Sequence, residues 1–351
     1  MPWEELLSLT TGVRRFDASG WICVAIPRSV TVFPFVLEQV MVDTPHYFGG
    51  VWTELKLEAI SAYSKFFTGA LKATAFDLWY IDPFAGTGSR EEIRSVGLLS
   101  KNGPTAEELV SYPGSAARAL SVQPPFDHFV FGDERKDRRK ALAELRNKHP
   151  GKDIRIVPGD ANVALQKLFG EPPLAEGSMG RGSARAFVFL DPYGMSVKWS
   201  TLTALARSKR ADVWFLVNLK AAVQQLSKDH GALDAHKRSA LYGCFGTHDW
   251  EAQFYEFDNR QGQLFSEEPE SRGFRNVDKV AIAAYHRKRL EGLFAYVSDP
   301  LSLAVGAHDD YFLLYCMSNN PYPNARALIA RGATWVVRHY REMASHHKSG
   351  R

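Results

Sequence analysis

The sequence of 351 residues contains only three cysteines, Cys23, Cys244 and Cys316, and they lie far apart. No C-x-x-C pair occurs among them. This usage excludes a disulfide framework and a zinc site built on cysteines. It fits a reducing cytoplasm best.

Long apolar runs are also missing. The most apolar region, Val30 to Val42, is short and contains Pro34 and Glu38, so no membrane span is expected. The run from Trp21 ends at Pro27 without a small-residue cleavage site, which argues against a signal peptide.

The charge is nearly balanced, with 43 Lys and Arg against 39 Asp and Glu and a net charge of +4. This small excess permits an anionic partner without requiring one. The sequence lacks H-E-x-x-H, G-x-S-x-G and G-x-x-x-x-G-K-[ST], which argues against zinc peptidase, serine hydrolase and P-loop chemistry. A hydrophobic content of 45% excludes global disorder.

Residues 1–43 show no clean period and are interpreted as an N-terminal extension, residues 44–335 as an α/β domain, and residues 336–351 as a basic tail. Apolar residues recur at helical spacing from Trp52 to Leu71, which predicts an opening helix. Strand-like and helical segments then alternate. The predicted strands are Leu78–Asp82, Phe126–Phe131, Ile154–Val157, Ala186–Leu190 and Val213–Val217, and the predicted helices are Arg135–Lys148, Ala161–Phe169 and Trp199–Ser208.

This alternation predicts a doubly wound, mostly parallel sheet with helices on both faces. Two later segments, Leu293–Val297 and Tyr311–Met317, predict strands that pair antiparallel at one edge. Gly97–Pro113 and Pro172–Ser183 are interpreted as long irregular insertions.

The first motif is D-P-F-A-G-T-G at 82–88, where a buried strand gives way to a turn. Ligands of open α/β sheets bind beyond the carboxyl ends of the strands, and glycines there let the backbone approach a ligand closely. Glu91 replaces the third glycine of a dinucleotide site and would repel a pyrophosphate. An acid followed by G-x-G suits a cationic ligand without phosphate, such as S-adenosylmethionine. Asp82, Phe84, Gly86 and Gly88 are therefore candidate cofactor-binding residues; the alternative is a tight turn with packing glycines.

The second motif ends the next strand at Asp133 and Glu134. A carboxylate at this place can accept both hydroxyls of a ribose, and Asp133 is the first choice. The alternative is that both acids only favour the N-terminus of the following helix.

The third motif, P-G-D-A-N at 158–162, closes the third strand. Asp160 can accept a hydrogen bond from an adenine amino group while a nearby backbone N–H binds the ring, and Asn162 is a further candidate for cofactor binding. Asp160 fits equally well as the N-cap of the following helix.

The fourth motif, D-P-Y-G at 191–194, follows the fourth strand. Asp191 and Pro192 can position an exocyclic amine, and Tyr193 can stack on a base that has left its duplex. These residues are the candidate catalytic group, since methyl transfer depends chiefly on positioning. No metal is required. A strand-terminating turn is the alternative.

Basic residues cluster on the helix after the second strand. They can hold phosphates, although a solvated helix face explains most of them. Arg207, Lys209, Arg210 and the tail add further cations. The tripeptide Glu54-Leu55-Lys56 has an acid-x-Lys form seen in metal-dependent nucleases, but such tripeptides arise often by chance.

These motifs, in this order, resemble class I S-adenosylmethionine-dependent methyltransferases. The region from about Tyr47 to Gly332 is similar, more narrowly, to the bacterial three-Cys-motif partner protein family. The resemblance rests on Lys56 in the opening helix, the four motifs, the Gly114-Ser115 helix start and Y-F-L-L-Y at 311–315. It implies a seven-stranded sheet, a cofactor cleft formed by the acids and glycines at the strand ends, and a separate partner with a three-cysteine motif that resembles radical S-adenosylmethionine proteins.

Two functions follow as expectations. The first is methyl transfer from S-adenosylmethionine to a base of DNA or RNA. The second is a non-catalytic partner or scaffold of the three-cysteine protein. Enzymes that methylate amino groups of nucleic acids usually carry [DN]-P-P-[YF], whereas here a single Pro192 precedes Tyr193, and this departure favours the second function.

Overall fold

The computed structural model describes five stretches of the chain. These are residues 51–96, 106–177, 183–258, 272–305 and 308–349. The predicted N-terminal extension lies outside the described residues, as do parts of both predicted insertions.

Helices and strands alternate through most of the described chain. In order, they are α1 (Val51–Leu71), β1 (Asp77–Asp82), β2 (Ser89–Val96), β3 (Ala106–Pro113), α2 (Ser115–Leu120), β4 (His128–Asp133), α3 (Lys136–Asn147), β5 (Asp153–Pro158), α4 (Ala161–Gly170), β6 (Ala184–Leu190), α5 (Trp199–Ser208), β7 (Ala211–Asn218), α6 (Leu219–Gln225), α7 (Ala235–Phe245), α8 (Trp250–Phe254), β8 (Tyr255–Asp258), β9 (Arg272–Arg275), α9 (Lys279–Glu291), β10 (Tyr296–Val297), β11 (Leu301–Val305), β12 (His308–Ser318) and α10 (Pro323–Ser349).

The central sheet has the order β10-β12-β7-β6-β1-β4-β5, and β11 also pairs with β12. Strands β5, β4, β1, β6 and β7 are parallel. Strand β12 runs antiparallel to β7, and β10 and β11 run antiparallel to β12. The predicted doubly wound, mostly parallel α/β fold is confirmed.

Within the described residues the sheet has eight strands rather than the expected seven. The additional strand is β11, which sequence patterning did not predict. Leu301 and Leu303 alternate with Ser302 and are buried against the sheet, but the apolar pattern is too short to mark a strand by itself.

Successive side chains of a strand point to opposite faces of the sheet, and helices cover both faces of the central strands. Tyr80 and Phe187 pack in one core with residues of α1, α2, α3 and α10. Ile81 and Val188 pack in the other core with residues of α4, α5, α6, α7 and α9. The opening helix α1 begins at Val51, as its periodicity predicts.

The segment after β1 differs from the expected irregular insertion. Strands β2 and β3 form an antiparallel ribbon, with Ser89 opposite Pro113, between the glycine turn and α2. Their sequences, SREEIRSV and AEELVSYP, are rich in charged residues, so no apolar alternation marks them as strands. Helix α2 then begins at Ser115 after Gly114, as expected.

Helix α10 crosses the expected boundary between residues 335 and 336. Val336 and Val337 are buried, and they pack in the same core as α1. No helix in the described stretches has both the length and the apolar character needed to cross a membrane.

Candidate functional site

The winding of the sheet changes direction between β1 and β6. From β1 the chain proceeds through β4 to β5, and it then returns to the other side of β1 to form β6 and β7. Ligands of doubly wound folds bind at such a switch point, beyond the carboxyl ends of the strands. Asp82 ends β1 and Asp191 follows β6, so these two acids lie at this point.

A lysine pairs with the second of these acids. Lys56, on α1, is 4% exposed, and its Nζ lies 2.5 Å from Oδ2 of Asp191. The same ammonium group lies 5.0 Å from the centre of the Trp52 ring. Trp52 stacks on Phe312 of β12 with 5.5 Å between ring centres. Helix α1 thus supplies both a cation and an aromatic wall to the carboxyl edge of the sheet.

Asp82 is completely buried. Its Oδ1 accepts a hydrogen bond from the Phe84 N–H at 3.0 Å, whereas Oδ2 has no hydrogen-bond partner among the described residues. Burial raises the pKa of Asp82 to about 7, although the nearby Ser115 hydroxyl and the Phe84 N–H limit the rise. Asp191 raises this pKa further and Lys56 lowers it. Asp82 therefore exchanges its proton near neutral pH.

The two glycines of the turn after β1 have different surroundings. Both have positive φ, +62° at Gly86 and +77° at Gly88. A Cβ on Gly86 would meet no atom within 4 Å, so this part of the turn faces open space. A Cβ on Gly88 would lie 2.8 Å from Cδ2 of Leu145 on α3. Gly86 can thus face a ligand, while Gly88 allows α3 to pack against the turn.

Asp133 lies at the end of β4 and is buried. Its Oδ1 accepts a hydrogen bond from the Arg135 N–H at 2.8 Å, and its Oδ2 accepts one from Nη1 of Arg138 at 3.2 Å. Glu134, the second choice for the ribose acid, is exposed. Asp133 is the better placed acid, but one of its oxygens is engaged by Arg138.

The structure gives Asp160 and Asn162 structural roles. Asp160 caps α4, accepting from the backbone N–H of Asn162 at 2.6 Å. The Asn162 amide donates to Asp160 Oδ1 and to the Ser196 carbonyl, and it accepts from the Lys198 N–H and the Thr201 hydroxyl. These protein partners use both its donors and its acceptor. Asn162 therefore joins the loops after β5 and β6, and its expected role in cofactor binding stays a prediction.

The motif after β6 combines a buried and an exposed residue. Pro192 is buried, whereas Tyr193 is 72% exposed. The guanidinium carbon of Arg138 lies 5.3 Å from the centre of the Tyr193 ring. The candidate catalytic group is thus near the switch point, with its aromatic ring facing outward against an arginine.

The basic clusters separate into two groups. Arg138 lies beside the candidate site, and Lys136 and Lys140 on the same helix are exposed. Lys209 and Arg210 lie at the opposite edge of the sheet, immediately before β7 begins. Of these two clusters, the one on α3 lies beside the candidate site.

Sequence reasoning missed the pairing of Lys56 with Asp191. The two residues are 135 positions apart, and the pairing depends on how α1 packs across the sheet. The acid-x-Lys tripeptide contains Lys56, but its acid, Glu54, pairs with Arg118. Among the described residues, no group of three or more His, Cys, Asp and Glu side chains is arranged to hold a metal ion.

Comparison with known proteins gives likenesses of architecture. No family model matches the chain, and no curated protein matches it. Protein LPL1258 of Legionella pneumophila is similar in structure, with a TM-score of 0.43 and 12% identity over 82% of this chain and 93% of that one.

Two further structures are less similar. The methyltransferase candidate yhhF of Escherichia coli has a TM-score of 0.29 and 10% identity over 79% of this chain and 89% of that one. The N-terminal domain of EvdMO1, solved in the presence of SAH and D-fucose, has a TM-score of 0.32 and 12% identity over 74% and 83%. At such low identities and TM-scores, none of these likenesses assigns a substrate or an activity. The class defined by the sheet and its switch point is a doubly wound α/β protein.

Proposed function

We propose that the chain binds S-adenosylmethionine at the switch point and transfers its methyl group to an amino group of a nucleic-acid base. The observation that carries this proposal is the combination of the open turn at Gly86 with the buried Asp82, one of whose oxygens has no hydrogen-bond partner among the described residues. A buried acceptor without a partner is costly, and a ligand that donates to it gains that energy.

The charges at the switch point support a cationic ligand. The ammonium group of Lys56 pairs with Asp191 and also lowers the pKa of the nearby Asp82, so two carboxyl groups lie near one cation. S-adenosylmethionine carries an ammonium and a sulfonium group against one carboxylate. Opposite charges attract more strongly in a buried site than in water, so an ionised Asp82 favours this ligand.

The acceptor base is proposed to bind at Asp191, Pro192 and Tyr193. Asp191 uses Oδ2 for Lys56, which leaves Oδ1 to accept from an exocyclic amine. The exposed Tyr193 ring offers a surface on which a flat base can stack.

S-adenosylmethionine supplies a methyl group on a good leaving group. In the transfer, a bond forms between the amine nitrogen and the methyl carbon, the carbon–sulfur bond breaks with its electron pair remaining on sulfur, and the nitrogen then releases a proton. The part proposed for Asp191 is to orient the amine, because alignment is the main requirement of this displacement.

Calorimetry with S-adenosylmethionine, followed by labelled methyl transfer to mixed DNA and RNA, tests the proposal. Gly86→Val should abolish binding, because its side chain fills the open turn. Gly177→Val is the matched control, since Gly177 also has positive φ, +78°, and open space around its Cβ position but lies in the loop after α4. Asp191→Ala should bind the cofactor more weakly, because one of the two carboxyl groups is lost, and it should lose transfer even at saturating cofactor. Transfer that survives Asp191→Ala would refute the assignment of Asp191.

The second candidate is a non-catalytic partner of a three-cysteine protein. It is favoured by the single proline and by the pairing of Asp191 with Lys56 and of Asp133 with Arg138, which already satisfies two of the acids. Binding of S-adenosylmethionine without transfer to any DNA or RNA, together with binding of the purified three-cysteine protein, is the result expected for this function.

A further inference from the structure

One arginine occupies two contacts that the sequence predicts for ligands. Arg138 donates to Oδ2 of Asp133, the acid expected to bind a ribose, at 3.2 Å. The same guanidinium packs 5.3 Å from the centre of the Tyr193 ring, on which a base is expected to stack. A ligand that uses Oδ2 of Asp133 or the same face of the Tyr193 ring must displace Arg138.

The topology places this arginine across the proposed cofactor crevice. Asp133 ends β4, and Tyr193 follows β6, and these strands pair with opposite sides of β1. A contact from α3 to the loop after β6 must therefore pass over the carboxyl end of β1, where the turn containing Gly86 lies. The Ala85 N–H donates to the Gly132 carbonyl at 2.9 Å, so the turn itself is fixed against the end of β4.

The two contacts of Arg138 differ in how easily a ligand can replace them. The Arg138 side chain is 21% exposed and that of Asp133 is 7% exposed, so the ion pair is accessible from one side only. Asp133 keeps the Arg135 N–H at 2.8 Å when Arg138 leaves. Tyr193 is largely exposed, and its ring can exchange a guanidinium for a base at little cost.

We propose that Arg138 is a specificity-determining residue that leaves Asp133 and Tyr193 when the ligands bind and pairs with a phosphate of the nucleic acid. This inference rests on the proposed function. A guanidinium makes bidentate hydrogen bonds to phosphate and remains charged throughout. The exposed Lys136 and Lys140 of α3 provide a basic surface beside the released side chain.

This exchange couples the two ligands. Nucleic acid that holds Arg138 frees Asp133 for the ribose, so each ligand should increase the affinity for the other by the same factor. The crevice would thus bind S-adenosylmethionine tightly only when a phosphate backbone is present, and binding without an acceptor would be disfavoured.

The test compares the wild-type protein with Arg138→Met and with Arg146→Met, a control that removes an exposed cation from the end of the same helix. Calorimetry measures the affinity for S-adenosylmethionine with and without a mixed-sequence single-stranded DNA oligonucleotide, and again with the RNA equivalent. Thermal unfolding establishes that each variant is folded, and Arg138→Lys, which keeps the ion pair with Asp133, serves as a second variant.

Arg138→Met should bind S-adenosylmethionine about threefold to tenfold more tightly than the wild type in the absence of oligonucleotide. It should also bind the oligonucleotide more weakly, with a salt slope reduced by about one, and show no coupling between the ligands. Arg146→Met should keep the coupling, and Arg138→Lys should fall between the wild type and Arg138→Met.

A general loss of structure would weaken the binding of both ligands. Tighter binding of S-adenosylmethionine together with weaker binding of the oligonucleotide therefore identifies the exchange. Unchanged or weaker binding of S-adenosylmethionine by folded Arg138→Met, while the wild type binds it, would overturn this inference alone. Failure of the wild type and all variants to bind S-adenosylmethionine would overturn the proposed function and this inference with it.

Discussion

Lys56 and Asp191 meet at 2.5 Å across the carboxyl edge of the sheet, although 135 positions separate them in the chain. Lys56 is almost completely buried, and the carboxyl group of Asp82 lies close enough for Lys56 to lower its pKa. Two acids from neighbouring strands thus depend on one cation from α1. The charge of the candidate site therefore depends on how α1 packs against the sheet.

Replacing this lysine should be strongly destabilising. Lys56→Met leaves Asp191 without its cation, and because this pair is partly buried, its loss should cost about 1 to 3 kcal/mol. Lys65→Met, an exposed position on the same helix, should change the free energy of unfolding by less than about 0.5 kcal/mol. Urea denaturation at pH 8 measures the free energy of unfolding of both variants. Equal losses of stability at the two positions would contradict the importance of the pair between Lys56 and Asp191.

Asp82 should make the protein less stable as the pH rises. Its pKa is about 7 in the folded chain against an ordinary value of 3.8, so its contribution is fully present below pH 3.8 and is lost as the pH rises through 7. The difference corresponds to on the order of 4 kcal/mol. Asp82→Asn removes this dependence and should be more stable than the wild type at pH 8, while binding of S-adenosylmethionine is lost. Unfolding curves at pH 5 and pH 8 give the comparison, and a larger gain at pH 5 would contradict the assignment.

His286 should make the protein less stable as the pH falls, which is the opposite of the effect of Asp82. It is buried beside Phe215 and Phe245, and burial lowers its pKa to about 4 from an ordinary value of 6.5. Its contribution to stability is present above pH 6.5 and is lost as the pH falls through 4, which amounts to about 3 kcal/mol.

His286→Leu should therefore lose less stability than the wild type between pH 6.5 and pH 4. Because Asp82 changes stability in the opposite sense over part of this range, the wild-type curve alone can be nearly flat. The difference between the variant and the wild type, measured by denaturation at each pH, isolates the histidine. A constant difference across the range would show that His286 is not the group responsible.

The sequence predicts the sheet and the places of the acids well, for a physical reason. The runs ending at Asp82, Asp133 and Asp191 are apolar because the strands are buried on both faces, and parallel strands bring their carboxyl ends to one edge. The sequence does not predict the ribbon of β2 and β3, because its strands are polar.

The contacts within the site were harder to predict. Lys56 meets Asp191, and Arg138 meets Tyr193, only because helices on one face approach the strand ends at a particular position. The P-G-D-A-N motif predicts a cofactor role for Asn162, but it does not predict the hydrogen bonds of Asn162 to Ser196 and Thr201, which lie more than 30 positions further along the chain. Local spacing carries no information on such contacts, which depend on the packing of the two cores.

Asn162 should prove to be a stability residue. Asn162→Ala leaves the Lys198 N–H and the Ser196 carbonyl without their partner, and the loss of such a buried network should cost about 2 to 4 kcal/mol. Asp160→Ala removes an exposed N-cap and should cost about 1 kcal/mol. The double variant should lose less than the sum of the two, because the residues share a hydrogen bond. Additive losses in urea denaturation would contradict this account.

Tyr193 offers the opposite case, a residue whose loss should affect the substrate and leave the fold unchanged. Its ring is 72% exposed, so Tyr193→Ala should alter the free energy of unfolding by less than about 0.5 kcal/mol. If the ring stacks on the acceptor base, its removal should weaken acceptor binding by about 1 to 3 kcal/mol, which raises KM for the nucleic acid about fivefold to 150-fold.

Tyr193→Phe retains the ring and should retain acceptor binding. Tyr242→Ala is the control, since Tyr242 is also exposed but lies on α7 and stacks on His248. Labelled methyl transfer over a series of nucleic-acid concentrations separates KM from kcat, and an unchanged KM in Tyr193→Ala would remove this residue from the acceptor site.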